Sequence, residues 1–145
     1  MEGRIVHGSD ADIEQFPHSA YLAISCAQKN LSETYGCGAS VISQMFLLSA
    51  AHCLDECDPV RSIIAVAVGS TTRSKATNKG VRYQCHPKYH QNDVDNDICI
   101  IKLKKPVTFS ARVKKALIMK TAPQTKIAAV VSGWGIVDVS QQFRP

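Results

Sequence analysis

The sequence predicts an all-β protein, on three observations. Short runs rich in β-branched or aromatic residues recur along the chain, each about 5 to 8 residues long. Turn-like stretches separate them. A convincing amphipathic-helix period is hard to find. Several strands with turn punctuation between them imply a sandwich or a barrel.

In chain order, the first run is Tyr21–Ser25 (YLAIS). Gly36-Cys37-Gly38 reads as a turn, and Val41–Leu48 (VISQMFLL) reads as the second strand. Ile63–Val68 (IIAVAV) is the third, ended by Gly69-Ser70-Thr71-Thr72. The polar segment Gly69–Gly80 reads as a surface loop. Val81–Cys85 (VRYQC) and Ile98–Leu103 (ICIIKL) follow. Ala111–Met119 has weak helical spacing and then meets Pro123, so it reads as a connector. Ile127–Ser132 (IAAVVS) is the last predicted strand. No internal repeat or low-complexity segment stands out. The organisation changes near residue 110: five strand signals and all six cysteines precede it, and one strand with Gly133-Trp134-Gly135 follows. That pattern suggests one complete lobe and the opening of another.

Composition narrows the function classes. The 145 residues leave room for one domain or slightly more. With 45% hydrophobic residues the chain can build a packed core, and a compact chain of this length buries roughly 68–70% of its unfolded surface. The 20% of charged residues argues against disorder. The formal charge of +5 is modest. Lys102–Lys105 and Arg112–Lys115 alternate with apolar residues or adjoin a strand, and read as solvated faces. No basic stripe is interleaved with aromatics, so no nucleic-acid partner is expected. No apolar run approaches the ~18 residues of a membrane helix, so no membrane partner is expected either. Met1–Arg4 is too short and polar for a secretory signal, which places any export signal upstream.

Cys26, Cys37, Cys53, Cys57, Cys85 and Cys99 make an even count. Such a count points to disulfides and an oxidising, extracellular compartment. Asn30-Leu31-Ser32 is a glycosylation sequon among polar loop residues. A zinc reading of His52, Cys53 and Cys57 lacks a second C-x-x-C pair to complete four ligands. Neither a metal nor another cofactor is expected.

His52 is the residue that raises a functional question. It lies in Leu48–Asp58, LSAAHCLDECD, between an apolar run and a cluster of acids. A lone histidine is usually structural or exposed. Asp97 changes that balance, because it heads the apolar strand of DVDNDICIIKL. A half-buried carboxylate needs a hydrogen-bonding partner, and an imidazole N–H is one. Such a pair fixes the ring's tautomer and leaves the other nitrogen free to take a proton, as a hydroxyl nucleophile requires. Other readings of the acids are weaker. Asp93, Asp95 and Asp97 imitate the start of an EF-hand loop, but Ile98 stands where its Gly belongs and Lys104 where its Glu belongs. His86 and His90 have i,i+4 spacing, yet Pro87 between them breaks the helix that would align them.

Five motifs then occur in one order: RIVHG at Arg4–Gly8, CGASVIS at Cys37–Ser43, LSAAHC at Leu48–Cys53, DNDICIIKL at Asp95–Leu103 and VSGWG at Val131–Gly135. With them the chain resembles the trypsin- and chymotrypsin-like serine proteases over nearly its whole length. The resemblance implies a trypsin-like double β-barrel, with the first six-stranded Greek-key barrel largely present and the second only begun. Residues 1–4 would be an activation remnant, 5–110 the first lobe, 111–126 the connector and 127–145 the start of the second lobe. It makes His52 the general base and Asp97 the acid that orients it and stabilises its cation. It makes Arg4–Ile5 the bond cut on activation, whose new amine pairs with an acid beside the serine. It implies a secreted endopeptidase, made as a zymogen, with polypeptide substrates or protein inhibitors as partners.

The resemblance also supports a Cys37–Cys53 bridge, which would clamp the segment carrying His52. Cys85 and Cys99 fall on strands the family pairs antiparallel, and either bridge or stay as small buried hydrophobes, the bridge being favoured. Cys26 and Cys57 remain, on two loops the family places side by side. Departures from the pattern are mild at His7 and Ala39, where the family often has Gly. Ala129 stands where many members carry a cysteine that pairs with the second lobe. The large departure is that no G-D-S-G-G follows Trp134 and no G-x-S-x-G occurs anywhere. Ser140 is the only serine after Trp134, with no glycine turn around it. The chain alone is therefore expected to be inactive toward peptide bonds, as a fragment or truncated product of an active protease. The alternative is a non-catalytic homologue that serves as a binding or decoy module.

Overall fold

The computed structural model describes residues 8–27, 33–73 and 75–135. Arg4, Ile5 and Asn30 lie outside the described residues. Six strands form: β1 (Ser19–Ser25), β2 (Tyr35–Val41), β3 (Phe46–Ser49), β4 (Ile63–Val68), β5 (Asn78–Cys85) and β6 (Cys99–Leu103). They close into one barrel in the order β1-β2-β3-β6-β5-β4, and every neighbouring pair is antiparallel. Closure leaves no strand edge to be satisfied by another chain. Among the described residues the only helical element is the 3-10 turn Ala51–Cys53.

Period-two alternation fills the barrel. On β6, Cys99, Ile101 and Leu103 point inward while Ile100 and Lys102 face out. Leu22, Ile24, Val41, Leu47 and Val66 meet them from the other strands, all with no exposed surface. The two lysine-bearing pieces lie on the outside, as their alternation suggested.

Four expected elements differ. The Gly69–Gly80 loop ends early, since Asn78, Lys79 and Gly80 already pair with β4 as the start of β5. Val41–Leu48 is not one strand: β2 ends at Val41 and β3 starts at Phe46. The Ser43 hydroxyl accepts the amides of Met45 and Phe46 at 3.2 and 3.1 Å, and this side-chain bond turns the chain between the two. Gly36-Cys37-Gly38 is not a turn but the middle of β2. A glycine is needed at position 36 because the Tyr21 ring of β1 occupies the space of any Cβ there. Ile127–Ser132 forms no strand. Ile127, Val130 and Val131 are exposed, and no described strand pairs with the segment. An extended run without a ladder partner gains no inter-strand hydrogen bonds, whatever its composition.

The connector is fastened to the barrel at its start. The amides of Lys114 and Ala116 donate to the carbonyls of Pro17 and Val41 at 2.9 and 2.7 Å, and Val113 is buried. None of the described helices is long and apolar enough to cross a membrane.

Gly80 lies at a tight point of the wall, just before a register shift between Gly80 and Arg82. A Cβ at Gly80 would lie 2.8 Å from Ile101 Cγ2 and 3.2 Å from Ile64 Cβ and Cγ2. Gly80→Ala is therefore expected to destabilise the protein by about 1–3 kcal/mol through overpacking. Urea unfolding measures this, and an unchanged midpoint would contradict the packing described.

Candidate active site

The register of β3 against β6 creates the site. Ser49 faces Cys99 at the end of that ladder. Continuing the antiparallel register sets the turn after Ser49 against the residues before Cys99, which are His52 and Asp97. The turn needs small residues: Ala51 is fully buried beneath it, while His52, the next residue, points out. On the other side, Asn96 holds φ +58, a left-handed conformation that Asn tolerates better than most residues. Its side-chain amide donates to the Lys88 carbonyl at 3.0 Å, and the Ile98 amide donates to its carbonyl at 2.7 Å. That bend aims Asp97 across at the histidine.

The two side chains meet. His52 Nδ1 lies 2.7 Å from Asp97 Oδ2, and the His52 backbone N–H donates to Asp97 Oδ1 at 2.8 Å. Asp97 is the more covered of the two, its side chain 21% exposed against 58% for His52. The hydrogen bond from the His52 ring holds the Asp97 carboxyl below the usual carboxylate range, helped by the His52 amide; desolvation opposes both. An ionised carboxylate only accepts, so Nδ1 must carry the proton and Nε2 its lone pair. Among the described residues Nε2 meets Cys53 Sγ at 3.6 Å, a disulfide sulfur with no proton to give. Among the described residues no group donates a proton to Nε2, so its lone pair is available as a base.

Bridges join Cys37 to Cys53, Cys26 to Cys57 and Cys85 to Cys99. The first ties β2 to the residue after His52. The last joins residues directly opposite each other on β5 and β6. Loops of this length are worth about 3 kcal/mol each in the chain-entropy account. Cys37, His52 and Cys53 form the one described group of three metal-ligand types, but its sulfurs are bonded to each other and offer no thiolate. The three acids of the EF-hand-like run do not converge: Asp97 serves His52, and Asp93 pairs with His90 at 3.5 Å. His86 accepts the Lys88 amide through Nδ1, apart from His52.

Of two residues that sequence reasoning missed, Tyr35 supports the turn and Tyr83 the loop that follows it. The Tyr35 hydroxyl donates to the Cys53 carbonyl at 2.8 Å, and the Tyr83 hydroxyl donates to the Cys57 carbonyl. Burial first, then the nearby Asp58, pushes the Tyr83 phenol up to about 12, so it stays a donor at all ordinary pH. Nothing local in the sequence marks Tyr35, because its partner lies 18 residues away.

A family model described as Trypsin matches residues 5–144. The chain belongs to the trypsin family. Trypsin delta of Drosophila melanogaster is 32% identical over all of this chain and 54% of its own length. Trypsin of Sarcophaga bullata is 32% identical over 93% of this chain and 51% of its own. Among solved structures, the scabies mite inactivated protease paralogue S-D1 superposes with a TM-score of 0.77 at 24% identity, over 94% of this chain and 56% of that one. Paralogue S-I1 from the same mite gives 0.65 at 26% identity, over 81% and 52%. The chain thus spans about half the length of the curated relatives it matches, and its all-β architecture is the trypsin-like one.

The Asp97 shift has a signed consequence for this trypsin-family barrel. Its carboxyl titrates lower when folded than when unfolded. The stability it contributes is therefore fully present above its unfolded pKa of about 3.9, and is lost as pH falls through the lowered folded value. Unfolding measured from about pH 7 to about pH 2 should show the wild type losing its advantage over Asp97→Asn only at the acid end. Parallel curves throughout would contradict the hydrogen bonds between His52 and the Asp97 carboxylate.

Proposed function

We propose that this chain carries the proton-transfer half of a secreted serine endopeptidase. The observation that carries the reading is the doubly bonded His52–Asp97 pair, with no proton donor at Nε2 among the described residues. In this reading Nε2 takes the proton of an attacking hydroxyl, Asp97 stabilises the resulting imidazolium, and the proton returns to the leaving amine. The sequence has no G-D-S-G-G, so the hydroxyl and the oxyanion donors come from a further stretch of the protein, and residues 1–145 alone do not cleave peptide bonds. Residues 5–110 act as the first lobe, 111–126 as connector and 127–145 as the start of the second. Cleavage at Arg4–Ile5 activates the zymogen, and polypeptides or protein inhibitors occupy the cleft between lobes. Three disulfides support an extracellular location, where Asn30 is glycosylated.

A second reading has an observation behind it. The S-I1 paralogue is an inactivated protease of the same fold at 26% identity. A homologue of that kind would serve as a binding or decoy module. Treating the full-length protein with a fluorophosphonate probe and a panel of peptide esters separates the two. Covalent labelling with ester hydrolysis supports the endopeptidase; neither result on the processed, folded protein supports the module.

A further inference from the structure

We infer that Tyr35 is a positioning residue for His52, acting through the carbonyl of Cys53. The inference rests on the proposed role of His52, and its first readout does not require activity.

β2 grips the residue after His52 at two points. Cys37 holds the sulfur of Cys53 covalently. Tyr35, two residues earlier and so on the same face of the strand, holds its carbonyl oxygen at 2.8 Å. The Leu54 N–H end of the Cys53–Leu54 peptide plane is held by the Ala51 carbonyl at 2.8 Å, while the disulfide at the sulfur does not set the direction of the carbonyl end. The phenol sets that direction as well.

The phenol itself is held in place. Its oxygen lies 3.0 Å from Cys26 Sγ and 3.2 Å from Cys57 Sγ. These two sulfurs are bonded to each other and have no proton. Of these three neighbours the Cys53 carbonyl is the strong acceptor, and the hydroxyl proton goes to it. Tyr35 is packed against the barrel core, so water does not freely replace it.

The consequence reaches the site through a short 3-10 turn. Within Ala51–Cys53 the carbonyl of Ala51 takes the amides of both Leu54 and Asp55 at 2.8 Å. A tilt of the Cys53–Leu54 plane moves the Leu54 donor and so the turn that presents His52. The backbone N–H of His52 and its ring Nδ1 must both meet a single carboxylate, within 2.8 and 2.7 Å. Two bonds to one planar acceptor tolerate little rotation of the donor residue.

Tyr83 supplies a control of equal chemistry. It too donates a phenol proton to a backbone carbonyl, but to Cys57, four residues beyond Cys53 and outside the turn.

The test uses the full-length protein as wild type, Tyr35→Phe and Tyr83→Phe. The readout is the downfield proton resonance of the His52 ring Nδ1–H. Its position and exchange rate report the bond to Asp97. Tyr35→Phe is expected to shift that resonance upfield and broaden it by faster exchange with water. It should also lower kcat about tenfold with KM unchanged, while Tyr83→Phe leaves both where they were. An unchanged His52 resonance in Tyr35→Phe overturns the inference. So does an equal change in both variants, which would make the phenols general supports of the loop. If the wild type shows the resonance but cleaves nothing, the endopeptidase reading fails and the resonance still decides this inference.

Discussion

In the full-length protein, His52→Ala is expected to lower turnover about a millionfold, and Asp97→Asn about ten-thousandfold. Both figures are those of the template enzymes for this chemistry, the second from this same family, and are taken over here with the geometry. Their ordering follows from the bonds. Without His52 there is no group to accept the hydroxyl proton. With Asn at 97, the ring and the His52 amide still face two polar atoms. However, one of them is now an NH₂ donor. An acceptor oriented to His52 N–H leaves a donor facing Nδ1, which forces the lone pair to Nδ1 and the proton to Nε2. The base is then present with its proton on the working atom. Steady-state rates on a peptide ester measure both effects. If Asp97→Asn kept more than a tenth of wild-type turnover, the tautomer argument would be wrong.

How far this site can be read from sequence depends on which interactions are local. His52 and Asp97 sit 45 residues apart, yet each lies in a short recognisable motif, so the pair is legible. The barrel is legible strand by strand where apolar residues alternate, as on β6. β2 escapes because its glycines signal a turn, and the need for one of them, Gly36, comes from the Tyr21 ring on the neighbouring strand. Ile127–Ser132 errs the other way: its composition suits a strand, but pairing requires a partner that no single-segment pattern can supply. Tyr35 and Asn96 are illegible for a related reason. One acts through a carbonyl in a distant turn. The other acts through a backbone conformation that many asparagines never adopt.

Ile101→Ala carries the largest expected stability effect, at the upper end of about 2–5 kcal/mol. Ile101 has no exposed surface, and lies in the middle of β6, opposite Leu47 on β3 and Tyr83 on β5. The cost of such a cavity depends on how well its walls can move in. Here they move little, since the barrel is closed and a disulfide ties β5 to β6 at Cys85–Cys99. The facing residue Gly80 has no side chain to swing into the space. Domains of this kind hold about 5–15 kcal/mol in total, so the loss is a large share. Gly80 also provides the internal check. In the Ile101→Ala background a methyl at position 80 no longer meets Ile101 Cγ2, and keeps only the 3.2 Å approaches to Ile64. The double variant should therefore be more stable than the sum of the two single losses allows, by an interaction of about 1 kcal/mol. Urea unfolding with the disulfides intact gives all four corners of that cycle, provided m stays constant. Strict additivity would mean that the two positions do not touch, and that the inner wall of the barrel is not packed as described.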